Sequence, residues 1–124
     1  WSDRTNSLGA PLLAASSSAG IAIWERQADE SIGWEGWGLE VHEKVVRAIA
    51  FQPNTFLLAS ASEDSQVCLW QEAEELLQIL EGAEAGFSCL SWHPQGQFLA
   101  AGGDNGELLV WSKSMRGKGF NKIR

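Results

Sequence analysis

The stretch HEKVVRAIAFQPNTFLLASASEDSQVCLW, residues 42–70, decides the fold of this chain. Its apolar runs lie at 46–51, 57–62 and 67–70, and its turn-type residues lie at 52–55 and 63–65. Each run is shorter than a typical helix, and runs of this length between such residues are typical of β-strands. The stretch therefore predicts a meander of antiparallel strands.

The same pattern returns 41 residues later in the chain. Pro53 is followed at this offset by Pro94, and Trp70 by Trp111. A third copy of the last two runs ends at Trp24, 46 residues before Trp70. A period in the low forties is typical of the four-stranded blades of β-propellers.

The unit from His42 to Trp70 resembles a blade of the WD-repeat (WD40) β-propeller family. In that family a His precedes the first strand, an Asp lies in the turn between the second and third strands, and a Trp ends the third strand. His42, Asp64 and Trp70 match these positions. The resemblance covers roughly residues 8 to 124, and it implies an all-β fold of four-stranded antiparallel meanders. About three blades would form an arc of a larger propeller.

The repeat also predicts the bounds of the units. Blade 1 is predicted at about 1–41, blade 2 at about 42–82, blade 3 at about 83–119, and the first strand of a further blade at 120–124. In this alignment the fourth strand of blade 3 lies near 113–115. Residues 72–80 could instead form a helix, since Glu, Ala, Leu and Gln favour helix, but their place in the repeat favours a strand.

The predicted arc is too short to close into a ring. Propellers typically need about 4 to 8 blades, and an arc leaves sheet faces and unpaired backbone groups in water. We therefore expect the remaining blades to come from a longer chain, from a companion chain or from a second copy of this chain.

The resemblance implies a structural tetrad in blade 2. Its members are His42, Asp64, Trp70 and a serine of the second strand, either Ser62 or Ser60, with Ser62 preferred. In the family these residues form a hydrogen-bonded chain from Asp through His and Ser/Thr to the indole N–H. A His–Asp–Ser set also raises a hydrolase interpretation, but the sequence shows no separate oxyanion donor or nucleophile turn. No catalytic, cofactor-binding or metal-binding residue is predicted.

The other two blades depart from the tetrad. Ala83 and Asn105 stand at the His and Asp positions of blade 3, and Ser18 stands at the Asp position of blade 1. We expect these blades to rely on apolar packing.

The resemblance also implies a partner-binding face. In the family, the loops before the first strand and between the second and third strands share one face, where partners commonly bind. The candidate residues here are Glu43, Val45, Arg47, Glu63, Ser88, Asp104 and Asn121. Arg47 is the best single anchor, since arginine is enriched in binding hot spots. The leading function is a non-enzymatic scaffold for protein or peptide partners. The alternative is a regulatory or accessory propeller attached to a catalytic or signalling domain outside this segment.

Composition limits the other classes of function. The chain has 16 acidic and 9 basic residues and a net charge of −7, which argues against nucleic-acid binding. No apolar run is long enough to span a bilayer. Cys68 and Cys89 lie in predicted strands without Cys-x-x-Cys spacing, so neither a zinc nor a redox site is predicted. A reducing, cytoplasmic location is expected.

Overall fold

The protein is built from eleven β-strands within residues 1–18, 20–117 and 119–123, the part of the chain that this computed structural model describes. The first sheet contains β1 (Leu13–Ser17), β2 (Gly20–Arg26) and β3 (Trp34–Leu39). The second contains β4 (Val46–Phe51), β5 (Leu58–Ser62), β6 (Gln66–Gln71) and β7 (Glu75–Glu81). The third contains β8 (Phe87–Trp92), β9 (Phe98–Gly103), β10 (Leu108–Lys113) and β11 (Phe120–Lys122).

Within each sheet, neighbouring strands are consecutive in sequence and antiparallel. The predicted all-β meander is confirmed. Residues 75–81 form β7, so the strand interpretation of this acidic segment is correct and the helix interpretation is wrong. None of the described residues belongs to a helix that could cross a bilayer.

The second and third sheets share details of geometry as well as sequence. The pairing of β4 with β5 shifts register between Val46 and Ala48, and that of β8 with β9 shifts between Phe87 and Cys89, 41 residues later. A β-bulge at the same place in two sheets increases the local twist in the same way. The repeat in the sequence is therefore also a repeat in backbone geometry.

Two apolar cores lie between successive sheets. The first core joins the first and second sheets through Leu12, Ile21, Ile23, Leu39, Val46, Leu58, Cys68, Trp70 and Ala73. The second core joins the second and third sheets through Ala59, Ala61, Val67, Leu69, Leu80, Ala83, Phe87, Leu99, Ala101, Leu109, Trp111 and Phe120. Because each core takes residues from two sheets, each sheet depends on its neighbour to bury its apolar face.

The end of the chain differs from the prediction. Phe120–Lys122 is the outer strand of the third sheet and pairs with β10, so it does not begin a further blade. Residues 113–115 end β10 and enter a turn in which Ser114 N donates to Gly119 O at 2.8 Å. The third sheet therefore extends past the predicted limit at 119. Arg124, the last residue of the predicted strand, lies outside the described residues.

Candidate functional site

A buried hydrogen-bonded chain crosses the second sheet from its loops to its core. The Nδ1 atom of His42 lies 3.0 Å from Asp64 Oδ2, and its Nε2 atom lies 2.8 Å from Ser60 Oγ. The indole Nε1 of Trp70 donates to the same Ser60 Oγ at 2.9 Å. The side chains of His42 and Asp64 are only 2% and 7% exposed, so the chain is shielded from water.

The Asp64 carboxylate and the Trp70 indole set the direction of the bonds at the two ends of this chain. The Asp64 carboxylate also accepts the backbone N–H groups of Glu43 and Gln66, at 3.0 and 3.1 Å. A carboxylate only accepts, so His42 donates from Nδ1 to Asp64. The hydroxyl of Ser60 accepts from the Trp70 indole and is also hydrogen-bonded to His42 Nε2. All four side chains are thus satisfied by one another, as buried polar groups must be to avoid a large cost.

The serine of this chain is Ser60, and the preference for Ser62 was wrong. Trp70 pairs with Leu58, two residues before Ser60 on the same face of β5. Ser62 lies two residues further on, or roughly 7 Å along the strand, beyond reach of the indole. Its hydroxyl instead donates to Val45 O at 2.9 Å and accepts from Asp64 N at 3.2 Å. Ser62 therefore ties the loop before β4 to the turn after β5.

A loop face is formed by the loops that precede β4 and β8 and the turns that follow β5 and β9. On it, Arg47 Nη1 lies 2.9 Å from Glu63 Oε1 and 3.9 Å from Asp104 Oδ2. Arg47 and Glu63 belong to the second sheet and Asp104 to the third, so the guanidinium lies between two sheets. These side chains are 41%, 38% and 38% exposed, which leaves the cluster open to a partner.

Close backbone packing brings the two sheets together at this face. Gly86, with φ of 92°, is buried against the turn after β5. A Cβ at this position would lie 2.8 Å from Glu63 Cα, so only glycine fits there without a shift of the backbone. Asp104 N donates to Gly86 O at 3.0 Å, which sets the Asp104 turn beside the Glu63 turn.

The remaining predicted loop-face residues divide into two groups. Glu43 and Val45 are exposed on the loop before β4, and Ser88 is half-buried at the bulge of β8. Asn121 does not lie on the loop face. It is opposite Ser112 in the outer pair of the third sheet, and Ser112 is opposite Phe98, at the other end of that sheet from Asp104.

The sequence pattern of the family described as "WD domain, G-beta repeat" (WD40) matches residues 36–71 and 74–112, which together are more than half of the chain. The chain belongs to the WD40 family.

The individual WD40 relatives are much longer than this chain. "Probable cytosolic iron-sulfur protein assembly protein 1" of Kluyveromyces lactis is 31% identical over 88 residues, which are 62% of this chain and 26% of the relative. "WD repeat-containing protein WDS homolog" of Arabidopsis thaliana is 30% identical over 103 residues, 82% of this chain and 20% of the relative. "Protein transport protein sec13" of Emericella nidulans is 27% identical over 112 residues, 84% of this chain and 36% of the relative. The chain thus spans about a quarter of the length of the first of these relatives.

The third WD40 sheet replaces the buried polar chain with apolar packing. Ala83 and Ala101 stand where the second sheet has His42 and Ser60, and Ala101 offers no hydroxyl to Trp111. Two larger side chains take up the space: Phe87 stands at the position of Val46, and Leu109 at the position of Cys68. The rings of Phe87 and Trp111 pack at 6.1 Å, and both residues are almost fully buried. The expectation of apolar packing agrees with this arrangement.

A cleft of about 580 Å³ opens between the second and third WD40 sheets. Its lining residues are Asp64, Ser65, Gln66, Glu81, Gly82, Ala83, Glu84, Glu107, Leu109 and Lys122. Carboxylates outnumber ammonium groups in this lining. Among the described residues, no group of three or more His, Cys, Asp or Glu side chains is arranged to hold a metal ion.

Side-chain hydrogen bonds between neighbouring WD40 sheets were not foreseen from the sequence. Two are donated by indoles: Trp37 Nε1 to Ala73 O at 2.8 Å, and Trp92 Nε1 to Ala50 O at 3.0 Å. Further bonds join the side chains of Gln52 and Gln78 to backbone groups of the third sheet. Their partners are backbone N–H and C=O groups, which nearly every residue carries, so no sequence motif marks these bonds.

Proposed function

We propose that this chain is part of a non-enzymatic interaction scaffold, an arc of a larger WD40 propeller whose loop face binds a protein or peptide partner. The observation that carries the proposal is the exposed Arg47–Glu63–Asp104 cluster. The cluster joins the second and third sheets on the loop face. The packing of Gly86 against Glu63 and the hydrogen bond from Asp104 N to Gly86 O fix the backbone that carries these side chains. Arginine on such a surface is a frequent binding hot spot.

The environment of Ser60 supports a role without catalysis. Its hydroxyl is fully buried and already bonded to His42 and Trp70. A catalytic serine needs access to substrate and an adjacent oxyanion site. The set of His42, Asp64 and Ser60 therefore has a structural role, and a partner binds the exposed loop face instead.

The tryptophans of the equivalent strands β2, β6 and β10 support the arc. Trp70 and Trp111 are 3% and 2% exposed because each packs against the preceding sheet, whereas the equivalent Trp24 is 42% exposed. The face that carries Trp24 fits a further blade. That blade would come from the rest of a longer chain, a companion chain or a second copy, and the mass of the native assembly distinguishes these sources.

The net charge bears on the class of partner, and the similarity to relatives bears on the location. With a net charge of −7 we propose no nucleic-acid partner, and we propose no membrane partner. A cytoplasmic location is supported by the likeness to a relative named as a cytosolic assembly protein.

The test compares two exposed arginines. The binding partner is first identified by affinity purification from the source organism, and its affinity is then measured by titration calorimetry. Arg47→Glu should weaken binding by about tenfold or more, the loss expected of a hot-spot residue, with only a small fall in melting temperature, since an exposed charge pair contributes at most about 1 kcal/mol. Arg26→Glu, in β2 away from the loop face, is the matched control. Equal affinities for Arg47→Glu and the unchanged protein would rule out the loop face as the binding surface.

A further inference from the structure

The cleft between the second and third sheets opens at the loop face, on the side of the outer strands. It lies between the turn after β5, the loop before β8 and the start of β10, and its volume of about 580 Å³ is typical of ligand sites. Gly82, Ala83 and Leu109 form its apolar part. Ala83 and Leu109 are only 3% and 6% exposed. The cleft therefore has a fixed apolar wall along which a hydrocarbon chain can pack.

Carboxylates surround this apolar wall. Glu81, Glu84 and Glu107 line the cleft and are exposed. In the part of the chain that the structure describes, none of these three carboxylates forms an ion pair. Asp64 adds a fourth negative charge, and Lys122 is the single basic residue among the described lining residues. The cleft thus carries an excess of negative charge that its own lining does not balance.

Hydrogen bonds fix the backbone that carries these carboxylates. Gly82 N donates to Ser65 O at 3.4 Å, and Ser65 Oγ donates to Glu84 O at 3.3 Å. Both bonds tie the loop before β8 to the turn after β5. Gly103 N donates to Glu107 O at 2.8 Å and closes the turn after β9. Because these segments are already held in place, a ligand does not have to order them when it binds.

The same two turns already hold a cation on their other side. Toward the first strands, the Arg47 guanidinium lies 2.9 Å from Glu63 in the turn after β5 and 3.9 Å from Asp104 in the turn after β9. Toward the outer strands, the carboxylates of the cleft have no such group among the described residues. A guanidinium or ammonium group from a partner would complete this side as Arg47 completes the first.

We propose that the cleft takes a lysine or arginine side chain from a basic segment of the partner that binds the loop face. The charged end of this side chain lies among the carboxylates of Glu84 and Glu107. Its methylene groups pack along Ala83 and Leu109, since long basic side chains bury their stems while the charged group stays near water. An acidic segment meets like charges there and binds poorly. The inference rests on the proposed function, because it gives the chemistry of the partner at the same face.

The first test uses peptides as probes. Short Gly/Ser peptides with a central run of lysine, arginine or glutamate are titrated into the protein at low ionic strength, where exposed charges are least screened. Backbone amide NMR signals are followed during each titration. The two basic peptides should shift the signals of Glu84 and Glu107, and the acidic peptide should not. No shift with either basic peptide, or an equal shift with the acidic one, overturns the proposal.

Variants that remove charge and keep shape show whether the cleft is the site. Glu84→Gln combined with Glu107→Gln should lower the affinity for the basic peptides by about fivefold, since two exposed charge pairs are lost. Glu74→Gln combined with Glu75→Gln is the matched control, because both residues are exposed at the opposite end of the second sheet. Lys122→Gln should raise the affinity. Equal losses in the two double variants, or no gain in Lys122→Gln, would show attraction by net charge only and overturn the proposal.

The partner identified for the Arg47 test separates this inference from the proposed function. If Arg47→Glu weakens its binding and the variant with both Glu84→Gln and Glu107→Gln does not, the inference about the cleft is overturned and the loop face stands as the binding surface. If neither variant weakens binding, both are overturned. A loss of affinity in the cleft variant, with the control pair unchanged, supports the inference.

Discussion

The side-chain amide of Gln78 hydrogen-bonds both backbone groups of Phe120. Its Nε2 donates to Phe120 O and its Oε1 accepts from Phe120 N, each at 2.8 Å. Gln78 lies in β7 and Phe120 begins β11, so the amide joins the outer strands of two sheets in the way that a neighbouring strand would. The Phe120 side chain is 2% exposed and packs against the ring of Trp92. Pairing with β10 places β11 in the third sheet, and the Gln78 amide ties it to the second sheet as well.

Removal of this amide should release β11. Gln78→Ala leaves the N–H and C=O of Phe120 without those partners, and we expect a loss of about 1–2 kcal/mol in the free energy of unfolding. Urea denaturation measures the loss, and hydrogen exchange of residues 120–122 locates it. Gln97→Ala, at an exposed glutamine without a side-chain hydrogen bond, is the control. Equal stability of the two variants would show that the apolar contact alone holds β11.

The buried chain through Ser60 predicts an energetic coupling. Ser60→Ala leaves the Trp70 indole N–H and His42 Nε2 unpaired and should cost about 1–3 kcal/mol. In a double-mutant cycle with Trp70→Phe, the coupling should be about 0.5–3 kcal/mol. The same cycle with Ser62→Ala should show a smaller coupling, because Ser62 does not bond Trp70. Comparable coupling for both serines would contradict the assignment of Ser60.

A histidine introduced into the third sheet should not rebuild the chain there. Ala83 is 3% exposed, Ala101 lacks a hydroxyl, and Phe87 and Leu109 fill the space. Ala83→His therefore buries an imidazole without partners and should lower the free energy of unfolding by about 1–3 kcal/mol. Ala85→His, at an exposed position two residues on, is the matched control. A melting temperature of Ala83→His at or above that of the unchanged protein would disprove this interpretation of the packing.

The two cysteines should differ sharply in reactivity. Burial raises the pKa of the Cys68 thiol to about 12, and the negative charge of Asp64 adds to the rise. Cys68 therefore stays protonated in the folded protein at mildly alkaline pH, where an unfolded thiol is partly ionised and reactive. Cys89 is exposed. Alkylation with iodoacetamide should modify Cys89 alone in the folded protein and both cysteines in denaturant, as read by mass spectrometry. Rapid modification of Cys68 without denaturant would indicate that the first core opens.

The repeat was readable because its signals are local. Short apolar runs and turn residues lie close together in sequence. The offset of 41 residues that separates Pro53 from Pro94 and Trp70 from Trp111 also separates the β-bulges of the second and third sheets. The tetrad was readable for the same reason, except for the choice between Ser60 and Ser62. That choice depends on which residue of β5 pairs with Trp70, and turn length and bulges set this register.

The sequence alone therefore established the all-β repeat, the family resemblance and three members of the buried chain, because each is encoded in residues close together or at a constant period. The fold in three dimensions assigned β11 to the third sheet, selected Ser60, and placed Arg47 between Glu63 and Asp104. Each of these outcomes depends on contacts between segments far apart in sequence. Gln78 and Phe120 are 42 residues apart, and such a contact forms only once packing between sheets has brought its two partners together.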